Sequence, residues 1–418
     1  MSNIKEFISS IRVIDGHEHV NTFSFRQKNQ VDLFGLLHYL ESDLFTAGMP
    51  RDAITSLSSA DVEEKAIIFK KYFERTQNTA YAKAFKTAMK DLYQMEYWSV
   101  KGILELNDKV LQASNDSTWY NTVLSEKSGI DLVLTLVGET MFDDPSFRSV
   151  MFLDYYFEVL SIEKIHEIEK KVGKSISTLS HYITSLQDIM DSYVLDGVVA
   201  TKLGYAYRRT LDVGKPTFYE AEKVFNEIMR LQLKQSLSQE ETKPLQDYLI
   251  HEVIRASIER NLPIQIHTGH HETTVSGNGN IITNSKVTDL IPLLLEYKEA
   301  KFVLLHSGLP YVDEYIAIAK NFPNVYADMT WVYIISPTIA SHALHKMIEM
   351  VPWSKIQGFG GDYNYVEGIY AHMKLARQVL GNVLEEKIKA GYLTEKEAQQ
   401  FAEGVLRYNL FEIYNLSK

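Results

Sequence analysis

Near the start of the chain, the apolar run Val13-Ile14-Asp15-Gly16-His17-Glu18-His19 ends in two histidines one residue apart. Alternate side chains of an extended strand point the same way, so His17 and His19 present two imidazoles to one face. Two neutral imidazoles at the end of a buried strand begin a chelate for Zn, Fe, Ni or Cu. The competing reading is a chance pair on a surface turn, and the other strand ends decide between the two. Ile264-Gln265-Ile266-His267-Thr268-Gly269 and Val303-Leu304-Leu305-His306-Ser307-Gly308 share one form, an apolar run, then histidine, then glycine. The glycine-rich run from Ile356 closes on Asp362. Taken singly, His267 and His306 read more readily as packed or supporting histidines. In a parallel barrel all strand C-termini open on one face, so these groups would converge there, which packing alone would rarely arrange.

Short apolar segments each followed by a helical stretch are what must position these residues. The predicted strands are Arg12 to His19, Ile130 to Gly138, Gly197 to Leu203, Pro263 to Gly269, Lys301 to Gly308, Asn324 to Thr330 and Lys355 to Asp362. The spacings of 39, 22 and 34 residues between His267, His306, Asp328 and Asp362 are those of βα units. From His19 to Lys202 the chain runs 183 residues, whereas three βα units need roughly 30 each. The surplus is placed between about Val31 and Lys127. There Leu33, Leu37 and Leu40, then Ile67, Ile68, Tyr72 and Phe73, recur at helical spacing. This is read as a helical insertion or lid, the alternative being extra helices that cover the barrel flank and do no chemistry. The aromatic cluster at Tyr93, Tyr97 and Trp98 fits a core or a substrate wall equally.

Composition sets the frame. The 418 residues are 45% hydrophobic and 23% charged, ordinary for a folded globular protein and compatible with one elaborated domain over residues 1–418. A net charge of -11 argues against nucleic acid or an anionic membrane as partner, since both demand a basic face. Absence of cysteine rules out disulfides, thiolate ligands and a cysteine nucleophile, so any metal must use His and carboxylate. No apolar run reaches membrane-spanning length and the first twelve residues lack a signal-peptide core, which gives the expectation of a cytoplasmic protein. A homo-oligomer is compatible with all of this, and the oligomeric state is left open.

The order HxH, His, His, Asp along these strands resembles the amidohydrolase superfamily, and more closely its amidohydrolase-related (amidohydrolase 2) branch. The likeness is best from Pro263 to about Leu416, and is similar to the amidohydrolase-like domain fused to some glutamine synthetases. Phe401 to Tyr414, with Asn409, is similar to the family's closing helix. The resemblance implies a (β/α)8 TIM barrel with a helical insertion after the first strand. In it His17, His19 and His267 bind a divalent metal, Asp362 binds metal or handles a proton, and His306 is a second ligand or an acid near the substrate. Zinc is the first choice, as one or two ions, because it accepts an N/O ligand set with an open position.

Lys202, in the predicted fourth strand, bears on the metal count. In part of the superfamily a carboxylated lysine there bridges two metals, while an unmodified lysine would attract a substrate carboxylate and a plain surface lysine would do neither. Arg208 and Arg209 follow, making an anion pocket plausible. His270, His271 and Glu272 open a loop rich in Gly, Asn, Thr and Ser that runs to Asn284, where a barrel carries specificity. His270 and His271 are therefore candidates for substrate contact, and Trp331 and Tyr333 for a substrate wall, each against the plainer reading of solvated or packed residues. The remaining histidines, His38 and His372 among them, are assigned no chemistry.

The leading expectation is a metal-dependent hydrolase that attacks a small-molecule amide, lactone or related carbonyl with metal-activated water, Asp362 and His306 serving as catalytic groups. The alternatives are a metal-dependent decarboxylase, a sugar-acid isomerase of the uronate type, or a non-catalytic barrel scaffold. Arginine-bearing signatures of uronate isomerases are not evident in His270 to Asn280 or in Tyr363 to Gly368, which lowers the isomerase reading. Five convergent metal-competent groups disfavour the scaffold.

Overall fold

The computed structural model describes residues 3–58, 61–137, 144–272 and 281–417. Eight short parallel strands follow one another in a single sheet ordered as in the chain: β1 (Val13–Glu18), β2 (Ile130–Val137), β3 (Phe147–Phe152), β4 (Ala200–Leu203), β5 (Ile264–His267), β6 (Phe302–Leu305), β7 (Val325–Asp328) and β8 (Ile356–Gln357). Between β8 and β1 closure comes from two backbone hydrogen bonds, Gly16 N to the Phe359 carbonyl at 3.1 Å and Asp362 N to the His17 carbonyl at 3.1 Å. This is the expected (β/α)8 barrel. Sequence reading did not place β3, and it drew the other strands longer than the ladders run. Gly138, the last residue of the expected second strand, lies outside the described residues, as does 273–280 of the loop after β5.

Inward side chains of the strands, among them Ile14, Leu134, Val150, Ala200, Val303 and Leu305, fill the barrel and are buried. Leu410, Ile413 and Tyr414 of the closing helix plug its lower end. Tyr414 donates its hydroxyl to Gln357 Oε1 at 2.7 Å and accepts from Gln265 Nε2 at 2.8 Å. The side-chain amide of Asn409 in turn binds the carbonyls of Trp353 and Ile356 at 2.6 and 2.8 Å, fixing this helix to β8.

The excursion after β1 is helical, with α1 (Leu40–Thr46), α2 (Val62–Phe73), α3 (Ala80–Tyr93) and α4 (Val100–Ala113). Thr79 and Ser99 cap the last two by accepting from the N–H groups of Ala82 and Gly102. Phe69, Phe73, Phe85 and Trp98 form the aromatic centre of this unit, with Phe73 and Trp98 centroids 4.6 Å apart. Several contacts tie it to the barrel mouth, two of them through side chains at its start. Tyr39 stacks on Trp331, which follows β7, at 4.5 Å, and the buried Arg26 makes a bidentate pair with Glu367 just beyond β8 at 2.8 and 2.9 Å.

Candidate metal centre

β1 does not run straight. Its register against β2 slips between Asp15 and Glu18, three residues of β1 facing two of β2, which is a bulge at the residues that bear the imidazoles. His17 is fully buried, and its Nδ1 lies 2.7 Å from Gln265 Oε1. Gln265 Nε2 is committed as donor to the Gly16 carbonyl at 2.9 Å and to Tyr414, so Oε1 is the acceptor and His17 carries its proton on Nδ1. The Nε2 lone pair of His17 is thereby turned toward the barrel mouth, the arrangement a metal-binding imidazole needs.

Asp362 Oδ1 lies 3.1 Å from His19 Nε2 and 3.5 Å from His17 Nε2, and one donor atom from each of the three residues falls within 4.8 Å of the others. Burial drives His17 well below the ordinary imidazole range, which keeps it neutral. Burial pushes Asp362 upward, but the His19 hydrogen bond and the surrounding imidazoles outweigh it and hold the carboxyl well below its usual value. Two imidazoles and an ionised carboxylate make an N/O donor set that fits zinc, iron or manganese.

His267 and His306 form a second pair beside this group. The Nε2–H of His267 donates to the His270 carbonyl at 2.8 Å, leaving its Nδ1 as acceptor for His306 Nε2 at 3.0 Å. Both ring nitrogens of His267 are thus engaged within the protein, and His267 stands outside the three converging donors. His306 Nδ1 is 4.0 Å from Asp362 Oδ2, and burial lowers its pKa to about 3. Lys202 is buried with Nζ 3.4 Å from His17 Nε2, and burial lowers it to about 8. Asp328, at the end of β7, accepts from the His306 and Thr330 amides, both at 2.9 Å, and so sets the turn that carries His306.

A cavity of about 240 Å³ opens over these residues, and Lys202, Arg208, His267 and His306 line it together with His19 and Asp362. Arg208 is ion-paired to Glu158. The His270 ring lies 5.1 Å from Trp331, and the His271 ring stacks on Tyr207 at 4.7 Å. Trp331 is 1% exposed and meets His306 edge-on at 5.4 Å, behind the cavity wall. Tyr333 turns away, its hydroxyl donating to the Gly358 carbonyl at 2.9 Å.

Several wall residues escaped sequence reasoning: His38 and Tyr39 from the insertion, Asp154 after β3, and Tyr207, while Glu272, expected only as a loop residue, also lines the cavity. His38 occupies a turn with φ 42, and burial lowers it to about 3. His306, Trp331 and Asp362 also have left-handed backbones, with φ 69, 69 and 62. Left-handed backbone at four non-glycine residues in and behind one cavity wall is the kind of strain that gathers at binding and catalytic sites, and no residue-type pattern foretells it.

Residues 231–401 match the family model described as amidohydrolase. Over this stretch the chain matches the amidohydrolase superfamily. Protein fluG of Emericella nidulans is 27% identical over 238 residues, covering 55% of this chain and 27% of that protein. Uronate isomerase of Nostoc punctiforme is 24% identical over 262 residues, covering 59% of this chain and 54% of that protein. The match thus spans about a quarter and about half of these curated relatives. Among solved structures, uronate isomerase from Thermotoga maritima superposes with TM-score 0.81 at 17% identity, over 99% of this chain and 96% of that one. That likeness carries the fold.

Proposed function

We propose that this chain is a metal-dependent hydrolase of a small carbonyl substrate, an amide or lactone, with His17, His19 and Asp362 holding one divalent ion. The observation that carries the reading is the meeting of Asp362 Oδ1 with the Nε2 atoms of His17 and His19 at the floor of a cavity sized for a small molecule. A metal bound there supplies Lewis-acid polarisation of the carbonyl and acidification of a water. The protein's own groups do the rest. Asp362, held ionised, accepts a proton and returns it to the leaving group. His306 keeps a neutral imidazole within 4.0 Å of that carboxylate and is the group placed to receive a proton from it. His267 has a supporting role in holding His306, with metal ligation requiring its ring to leave the His270 carbonyl.

Lys202 points to the substrate's charge. Its ammonium is buried at the cavity, no carboxylate among the described residues lies within ion-pair distance, and a substrate carboxylate would supply the missing counterion. The same feature supports a second reading, a sugar-acid isomerase, which the likeness to uronate isomerases also favours. The test is purified protein with metal quantified, incubated with carboxylate-bearing amides and lactones and, separately, with hexuronates. Metal-dependent release of acid from the first panel bears out the hydrolase, whereas ketose formation from the second with no hydrolysis replaces it by the isomerase.

A further inference from the structure

Asp15 and Glu18 lie on β1, Asp15 before the two histidines and Glu18 between them, and both are fully buried. Strict alternation would send Glu18 to the face opposite Asp15, and the bulge between them undoes that. Together they receive the segment that follows β8. Three consecutive backbone amides of that segment donate to β1: Gly361 N to Asp15 Oδ1 at 3.2 Å, Asp362 N to the His17 carbonyl at 3.1 Å, and Tyr363 N to Glu18 Oε2 at 2.6 Å. Asp15 Oδ1 also takes the His17 amide at 3.2 Å. The carboxyls close so tightly on Gly361 that a Cβ there would stand 1.9 Å from Glu18 Oε1 and 3.3 Å from Asp15 Oδ2. At the centre of this grip Asp362 holds φ 62, a conformation a non-glycine residue keeps only where its surroundings fix it.

We propose that Asp15 and Glu18 are positioning residues for Asp362. Their carboxyls grip the amides on either side of it, so that its oxygen is held against His17 and His19 in advance of any metal. β1 and the residue just past it then supply two ligands directly and set the third through the backbone. Neither carboxyl touches substrate. The inference rests on the reading of His17, His19 and Asp362 as a metal centre.

The experiment compares Glu18→Ala and Asp15→Ala with Glu18→Gln, which keeps the acceptor for Tyr363 N, and with Glu18→Asp, which keeps the carboxyl but shortens the reach. Zinc affinity is measured by competition with a chromophoric chelator, cobalt binding by visible absorption, and the fold of the metal-free protein by thermal melting. The alanine variants and Glu18→Asp should lose about 10–100-fold in zinc affinity, with Glu18→Gln within about threefold of the parent, the scale typical of groups behind metal ligands. Folded alanine and Glu18→Asp variants that bind zinc like the parent, whatever their melting temperatures, overturn the proposal. If the alanine variants do not fold, Glu18→Asp decides, since full affinity there is equally fatal. A parent that binds neither zinc nor cobalt removes the metal reading and this inference together, an outcome distinct from parental affinity persisting in the variants.

Discussion

Tyr39 donates its hydroxyl to the backbone carbonyl of Asp362 at 2.6 Å, so a residue from the excursion after the first strand bears directly on the residue that follows the eighth. The same ring stacks on Trp331 at 4.5 Å and on Tyr81 of α3 at 5.4 Å. The insertion therefore rests on the C-terminal mouth of the barrel, where a lid must sit. Tyr39→Phe removes one buried hydrogen bond and keeps the stack, so urea unfolding should show a loss of about 0.5–1.5 kcal/mol. A lid role further requires kcat/KM to fall while metal content holds. Unchanged turnover would leave the insertion as a structural cover.

Metal content tests the centre itself. The His17→Ala, His19→Ala double variant removes two of the three donors that converge within 4.8 Å, so it should retain far less than one equivalent of divalent metal by elemental analysis. Stoichiometric metal in that variant would place the site elsewhere.

Asp362→Asn keeps the side-chain shape and an oxygen ligand but removes the base. Turnover should fall by roughly 10²–10⁴-fold, the usual worth of general acid–base help, while metal occupancy falls far less. An Asp362→Asn enzyme of verified metal content that turns over near the parental rate would transfer the proton-handling role to His306.

The barrel was legible because buried parallel strands are written as short apolar runs, and the site because strand ends converge wherever a barrel closes. β3 was not legible, since Arg148 and Ser149 interrupt Phe147 to Phe152 and break the apolar signature. Strand lengths were overread because the sequence does not show where the chain leaves the ladder. Gly358 N, for instance, bonds the Val405 carbonyl at 2.7 Å rather than a neighbouring strand. The wall contributed by His38 and Tyr39 depends on a left-handed turn and on how a long insertion folds back. The side-chain direction of Tyr333 depends likewise on the backbone reversal at Trp331. Such features arise from tertiary packing, which local periodicity does not encode.

The buried pair that anchors the insertion should be costly to break from either side. Glu367 accepts from both ends of the Arg26 fork and from Trp119 Nε1 at 2.9 Å, and the charge of Arg26 outweighs burial to keep its carboxyl below the usual range. Arg26→Met or Glu367→Leu alone strands a buried charge and should cost about 3–5 kcal/mol in urea unfolding. The double replacement should cost clearly less than the sum. Additive losses would mean that the two charges are not coupled.

Asp154 gives the pH dependence a definite sign. It lies buried on the cavity wall, accepts from Gly204 N at 2.7 Å, and is pushed up to about 8, first by burial and then by the neighbouring Glu158. An unfolded aspartate titrates near 3.9, so the native state binds this proton more tightly than the unfolded state. Below pH ~4 both states are protonated and the group makes no difference. As pH rises toward 8 the unfolded state alone gains from ionisation, and native stability drains away by at most about 1.4 kcal/mol per pH unit. Above pH ~8 the loss is complete and constant. Asp154→Asn can keep the contact with Gly204 and abolishes the ionisation. It should match the parent near pH 4 and exceed it increasingly up to pH 8, when unfolding free energies are measured by urea titration across that range. A stability difference that does not change between pH 5 and pH 8 would show that Asp154 ionises normally in the folded protein.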